Sequence, residues 1–378
     1  MKKPPVIGFD AKRAFRNATG LGNYGRTLIN TLNTFPIEMR LYAPNYGNSQ
    51  LRNQIEQRQN IHVCYPKKSM LGKVYQAYWR SHGIVSDLKR DGVDIYHGLS
   101  GELPMGLQKS GIKGLVTIHD LIFMRHPEYY HWIDTKLYAW KFRQTMREAT
   151  HIIAISECTK RDILYYAPEV DPARISVIYQ SCAPRFTTTP ELRKAEAELT
   201  EGRYILSVGS IEARKNTMLA VKALPYLPDD LTLTLVGKHT PYTDELLAYA
   251  KANGLAHRVK VMHGVSDELL PALYAGAEAF VYPSRYEGFG IPIIEAINCG
   301  LPVVACTGSC LEEAGGPDSL YVDPDDAEAM ANAIRQVLRG TEGREQRITA
   351  SQSYIRRFQG LDVAGQVYEL YQQLLEQR

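Results

Sequence analysis

Nowhere in these 378 residues is there an apolar run near the roughly 20 that a membrane helix needs. The opening MKKPPVIGFDAK carries two lysines but no apolar stretch behind them, so it reads as a first strand at Val6 to Asp10 rather than a secretion signal. Cysteine is sparse and badly spaced for ligation. The six lie at 64, 158, 182, 299, 306 and 310, with no CxxC pair and no histidine beside Cys306 and Cys310. A disulfide framework and a zinc site are disfavoured, and free thiols in a reducing, cytoplasmic compartment are expected. Tandem repeats and low-complexity tracts are missing too. What remains is an ordinary soluble composition, long enough for two domains with sizeable cores.

Net charge is only +3, but it is unevenly spread. Residues 1–180 hold 25 Lys/Arg against 15 Asp/Glu, about +10; the rest hold 19 against 26, about −7. A basic half suits an anionic surface or substrate, although an uneven surface is an equally good reading. Two stretches mix aromatics with bases: 65–83, with Tyr75, Tyr78 and Trp79, and 129–142, YYHWIDTKLYAWKF. Either forms an amphipathic helix beside a membrane surface or a glycan, or packs its rings into the core.

Apolar runs alternate with helical patterns along the whole chain. Strands are expected at Val6 to Asp10, Met39 to Ala43, Ile61 to Cys64, Val93 to Tyr96, Gly114 to His119 and His151 to Ile155 in the first half. In the second they fall at Tyr204 to Val208, Leu231 to Val236, Val259 to Met262, Ala279 to Tyr282, Leu301 to Ala305 and Ser319 to Val322. Such alternation predicts parallel sheets covered by helices, an α/β fold. Behind the first strand, TGLGNYGR places Gly20, Gly22 and Gly25 in a G-x-G-x-x-G string, with a helix expected from about Asn23 to Leu32. The second strand ends Tyr42-Ala43-Pro44, without the acidic residue a dinucleotide site uses, so a diphosphate loop is the better reading.

The most informative stretch is Ala279 to Ala305, AFVYPSRYEGFGIPIIEAINCGLPVVA. It reads as strand, polar loop, short helix from Ile291 and strand again, with Pro292 in the helix's first turn. Gly288 and Gly290 let backbone amides near Phe289 and Ile291 approach a ligand, and Glu287 and Glu295 offer carboxylates to vicinal hydroxyls. Together they suit a polyol. The string resembles the E-x7-E signature of retaining, nucleotide-sugar-dependent glycosyltransferases of family 4, which have the GT-B fold.

Other segments carry the same resemblance. VTIHDLIF is similar to the family's V-T-x-H-D element, and GSIEARKN at 209 to 216 to its G-x-x-x-x-R-K-N loop. The resemblance implies two Rossmann-like domains facing each other across a cleft, with the C-terminal helix crossing back to the first. The acceptor domain would be 1–182 with 362–378, and the donor domain 183–361. By the same resemblance Glu287 would contact the donor sugar and Glu295 the ribose. Gly209, Arg214 and Lys215 would hold the diphosphate, with Gly20 and Gly22 packing against it. Val265 would line the base, and Gly288, Phe289, Gly290 and Ile291 would supply backbone contacts. His119 would stand near the transferring centre, with His97 a weaker candidate. Neither cofactor nor metal is implied, because Arg214, Lys215 and helix N-termini would do the work a metal does elsewhere.

The implied reaction moves a hexosyl, on pattern a mannosyl, group to a hydroxyl of a glycan or lipid-linked glycan in surface-polysaccharide synthesis. GDP-mannose and UDP-hexoses both stay open as donors. No nucleic-acid partner is expected. The basic first half allows peripheral contact with the cytoplasmic face of the membrane. Two alternatives share the fold: a nucleotide-sugar epimerase or sugar-phosphate glycosyl synthase, and a non-catalytic sugar-nucleotide-binding protein.

Overall fold

A computed structural model describes residues 3–67, 72–186 and 202–376. The chain forms two compact units. One runs to Tyr179 and resumes at Asp362; the other is Gln180–Leu361.

The first unit is built on seven parallel strands: β1 Val6–Asp10, β2 Glu38–Tyr42, β3 Ile61–Cys64, β4 Ile95–Gly98, β5 Lys113–Ile118, β6 His151–Ala154 and β7 Ile175–Val177. Their order is β3-β2-β1-β4-β5-β6-β7. β1 is buried along its whole length, as a strand covered by helices on both faces must be. On one face Ile7, Phe9, Met39 and Leu41 pack against Leu28, Ile29 and Leu32 of helix Gly20–Leu32. The same face receives the C-terminal helix Val363–Glu376 through Val367, Leu370, Tyr371 and Leu374, a three-and-four spacing that forms one apolar stripe. On the other face Tyr42, Tyr96 and Val116 meet Trp79, Leu88, Phe142 and Met146.

The second unit repeats the plan with β8 Arg203–Val208, β9 Leu231–Val236, β10 Val259–Met262, β11 Phe280–Tyr282, β12 Val303–Cys306 and β13 Leu320–Val322. All are parallel, in the order β10-β9-β8-β11-β12-β13. In each unit the order reverses beside the first strand. That places the C-terminal ends of β1 and β4, and of β8 and β11, at the position where open α/β sheets take ligands.

Several local expectations need correction. A short helix, Lys12–Arg16, fills part of the expected loop, and the next helix begins at Gly20 rather than near Asn23. In the 65–83 stretch, residues 68–71 lie outside the described residues; of the rest, Trp79 is buried while Val74 and Tyr78 are exposed. The 129–142 stretch enters helix Trp132–Glu148, with both of its tryptophans at the surface.

Candidate active site

Two loops meet at the C-terminal edge of the second sheet. β8 runs into Gly209, whose φ of 144° is open only to glycine at low cost, and then into a 3-10 turn, Ala213–Lys215. Asn216 follows in the left-handed region at φ 54°, held by its side-chain amide donating to the Pro324 carbonyl at 2.8 Å. β11 runs into the loop 283–290, which ends at Gly290, φ 122°, where helix Ile291–Asn298 starts with Pro292 in its first turn. A Cβ at Gly290 would also press to 3.2 Å from the Ala314 Cβ. Because β8 and β11 are neighbours, the loops are stitched together. The Arg285 amide donates to the Arg214 carbonyl at 3.0 Å, and Arg214 Nη1 donates to the Tyr286 carbonyl at 2.7 Å.

Glu287 is the centre of this joint. Its Oε1 lies 2.6 Å from Lys215 Nζ and 3.0 Å from Arg214 Nη1, and it accepts from the Ser284 hydroxyl. Burial pushes its carboxyl pKa up, but Lys215 and Arg214 outweigh burial and hold it below the usual carboxylate range. Lys215 is the reciprocal case. Burial lowers its pKa, the Glu287 charge raises it further, and the net shift is upward, so it stays an ammonium. Its Nζ also donates to the Tyr282 hydroxyl at 2.8 Å. Arg214 also reaches Glu212, its Nη2 2.8 Å from Oε1, so two cations and two carboxylates form a balanced, already oriented cluster at the sheet edge.

Glu295 sits in a different environment. The Tyr274 hydroxyl donates to its Oε2 at 3.0 Å. Burial, only partly offset by that hydrogen bond and by Arg185, raises its pKa to about 7. Glu287 is thus held as a carboxylate, whereas Glu295 is poised between its two forms near neutrality. Gly288, Ile291 and Val265 are half-buried, and Phe289 is buried edge-on against Phe358.

The remaining candidates, Gly20, Gly22 and His119, belong to the first unit. The glycines do not form a loop: they are the first turn of helix Gly20–Leu32. A Cβ on Gly22 would stand 1.8 Å from the Asn17 carbonyl oxygen, and one on Gly25 3.4 Å from the Ala14 Cβ. Both let this helix press against Lys12–Arg16, and buried Arg26 pins the contact by donating to the Ala14 and Asn17 carbonyls at 2.7 and 2.9 Å. Gly20 alone has open space where a Cβ would go.

His119 follows β5. Its Nε2 lies 3.0 Å from the Leu99 carbonyl, so that nitrogen carries the proton, and its ring meets Tyr24 edge-on at 4.8 Å. Burial lowers its pKa to about 4, which keeps the imidazole neutral. Asp120 accepts from the Ile122 amide at 3.2 Å and so caps the segment that follows. A cavity of about 250 Å³ opens beside His119, lined among others by Phe123, Tyr130, Tyr138, Glu102 and Lys141. Of the bases lining it, Lys141 Nζ is 3.4 Å from Glu102, a carboxylate shared with Arg80, which is also paired with buried Asp10, and Arg13 is exposed. His97 is structural, bonded through Nδ1 to the Tyr371 hydroxyl at 2.7 Å and through Nε2 to Thr117 at 2.9 Å.

Sequence reasoning missed several supporting residues. Cys310 donates its thiol to the carbonyls of Glu287 and Phe289, at 3.1 and 2.6 Å, and so braces the loop. Tyr282, Ser284 and Tyr274 hold Lys215, Glu287 and Glu295; only Tyr282, at a strand's C-terminal end, gave a positional signal. The chain also carries one Asp-x-Asp string, Asp323-Pro324-Asp325. It serves the fold: Asp323 accepts from the Asp325 amide at 2.8 Å, and Asp325 pairs with Arg285. Among the described residues no group of three or more His, Cys, Asp or Glu is arranged to hold a metal ion.

Two doubly wound units, with a C-terminal helix returned to the first, define the GT-B class of glycosyltransferases. Sucrose-phosphate synthase from Thermosynechococcus elongatus has a similar fold at TM-score 0.78 and 21% identity, covering 98% of this chain and 99% of that one. So does HepE from Anabaena, solved in complex with UDP, at TM-score 0.75 and 18% identity over 98% and 100% of the two chains. The sequence then narrows the class: the chain belongs to glycosyltransferase family 4, the group 1 glycosyl transferases. The family model described as Glycosyltransferase Family 4 matches residues 18–181, and that described as Glycosyl transferases group 1 matches residues 188–354. The O-antigen chain mannosyltransferase B of Escherichia coli is 30% identical over 261 residues, 66% of this chain and 67% of that protein. The O-antigen chain mannosyltransferase RfbU of Salmonella typhimurium is 30% identical over 222 residues, 59% and 60% of the two.

Proposed function

We propose that this protein transfers a mannosyl or related hexosyl group, with retention of configuration, from a nucleoside-diphosphate sugar to a hydroxyl of a glycan or lipid-linked glycan in surface-polysaccharide synthesis. The observation that carries the reading is the Lys215–Glu287–Arg214 cluster, which holds two cations in fixed positions at a sheet edge. The mannosyltransferases to which the chain is similar support the choice of sugar.

As the bond from the sugar C1 to the diphosphate breaks, negative charge grows on the leaving oxygens. Lys215 and Arg214 would stabilise it there, already oriented by Glu287, at no reorganisation cost in the transition state. Lys215 acts as a point charge, whereas Arg214 can present two parallel N–H groups. The carboxylate of Glu287 has lone pairs left for sugar hydroxyls, and Glu295 would accept from the ribose. In a front-face reaction the acceptor oxygen bonds to C1 on the side the diphosphate leaves, and the acceptor's proton passes to a leaving phosphate oxygen. No side chain need then act as base. A neutral His119 fits this scheme as a hydrogen-bonding group near the sugar. The reading needs no metal.

The test is thermal stabilisation by UDP, GDP, ADP and dTDP in EDTA, because a ligand bound only by the folded state raises the melting temperature. One nucleotide should stand out and name the sugar nucleotides to assay. No shift with any of them, with or without added divalent metal, would remove the donor-site assignment.

A further inference from the structure

Helix Trp132–Glu148 has a side the fold does not use. At about 100° per residue, Phe142, Thr145 and Met146 fall on one side and are buried. The opposite side carries Trp132, Ile133, Leu137 and Trp140, exposed at 62, 52, 45 and 45%. Lys136 lies among them, its Nζ 4.9 Å from the Trp132 ring centroid, and exposed Arg143 and Arg147 continue the same side. Neither acid of the helix joins this side. Asp134 falls on the flank, and Glu148 is turned to the amides of Gly106 and Gln108, both at 2.8 Å.

We propose that this outward side lies in the headgroup region of an anionic lipid bilayer. Tryptophan suits that depth, with an apolar ring and one N–H donor. Ile133 and Leu137 gain only from a partner that offers hydrocarbon, which a polyanionic glycan does not. Lys136, Arg143 and Arg147 gain from negative charge, and the excess of about +10 over residues 1–180 reinforces them. A helix with this division of faces lies along an interface rather than crossing it. Among the described residues none is long and apolar enough to cross. The helix's other flank lends Tyr138, Lys141 and Phe142 to the cavity at His119, so one element joins the bilayer face to that cavity. Delivery of a lipid-linked acceptor along it rests on the proposed function; bilayer binding does not.

The experiment uses the whole protein with phosphatidylcholine vesicles, with and without phosphatidylglycerol, read by cosedimentation and by tryptophan emission. Of the three tryptophans, Trp79 is only 4% exposed, so changes in emission report Trp132 and Trp140. Binding to the anionic vesicles, a blue shift and quenching by lipids brominated on the acyl chain are expected. Replacing both exposed tryptophans, Trp132→Ser with Trp140→Ser, should lower partitioning about tenfold or more. Arg143→Gln with Arg147→Gln should lower it by roughly fivefold per charge. Neither double variant should change the melting temperature or the nucleotide-induced shift. The proposal is overturned if the wild type sediments with neither vesicle, or if the variants partition as it does. It is equally overturned if the tryptophan variant abolishes self-association seen by sedimentation velocity while vesicles bind nothing, because the face would then serve a second copy. Loss of nucleotide binding with vesicle binding intact would sink the donor-site reading alone.

Discussion

The two sheets share a strand order and differ in what hangs from their C-terminal edges. From β8 and β11 come charged groups: Lys215 and Arg214 each lie within 3.0 Å of one Glu287 oxygen, and Arg214 also pairs with Glu212. From β4 and β5 come a neutral imidazole, His119, and a cavity walled by Phe123, Tyr130 and Tyr138, with Lys141 facing Glu102. One scaffold thus carries oriented, ion-paired charges at one edge and, separately, a neutral imidazole beside an aromatic-walled cavity at the other. Strand order fixes where a site can be; the residues in the loops decide its chemistry.

The contrast breaks most readily at Lys215. Lys215→Met keeps the length of the side chain and removes the charge. It should lower kcat for sugar transfer by about 10²–10³. Fold loss is not expected, because Glu287 keeps Arg214 at 3.0 Å. A variant within a few-fold of wild type would mean that the charged edge is structural. His119→Ala should come next, at about 10² in transfer, while the nucleotide-induced rise in melting temperature stays. If that rise disappears with His119, the division between an anion edge and a neutral edge is wrong.

How far this contrast was legible in the sequence depends on the residue. Alternating apolar runs gave the parallel sheets, because strands buried on both faces read as continuous hydrophobic segments. Glu287, Arg214 and Lys215 were legible because the loops that bear them resemble known strings. The packing role of Gly22 and Gly25 was not legible, because a glycine that admits a ligand and one that admits a neighbouring helix look alike in sequence. Only the Asn17 carbonyl, 1.8 Å from where a Cβ would stand, separates the two cases for Gly22. The state of Glu295 was not legible at all, since burial and a tyrosine 21 positions away set it. The thiol brace from Cys310 was hidden for the same reason: its acceptors are backbone carbonyls at 287 and 289.

Glu295 sharpens the comparison through pH. Its carboxyl is raised from the ordinary 4.5 to about 7, so the folded protein holds a proton there that the unfolded chain has released. Stability from this group is present below about 4.5 and is lost as pH rises towards 7. Glu295→Gln should flatten that part of the melting-temperature profile. A ribose donating to Glu295 favours the carboxylate, so nucleotide binding near pH 6 should release a proton, and affinity should climb by up to about tenfold per pH unit before levelling near 7. Calorimetry in two buffers of different ionisation enthalpy reads the proton directly. Proton uptake, or the same release in Glu295→Gln, would remove Glu295 from the ribose.

The smallest effect is expected where the C-terminal helix meets the first sheet. The Tyr371 hydroxyl and His97 Nδ1 are 2.7 Å apart, and both residues are buried. Burial holds the imidazole neutral, with its pKa near 3, so this is a hydrogen bond between neutral groups. Tyr371→Phe removes one partner and leaves a buried ring nitrogen unsatisfied, which costs about 1–3 kcal/mol of stability. The loss should appear in urea unfolding as a lower midpoint at unchanged slope, with nucleotide affinity within about twofold of wild type. The reason is location: Tyr371 belongs to the first unit, and every group in the charged cluster belongs to the second. Should nucleotide affinity fall together with the midpoint, the anion site would depend on the first unit's core, and the two edges could no longer be treated as separate pieces of chemistry.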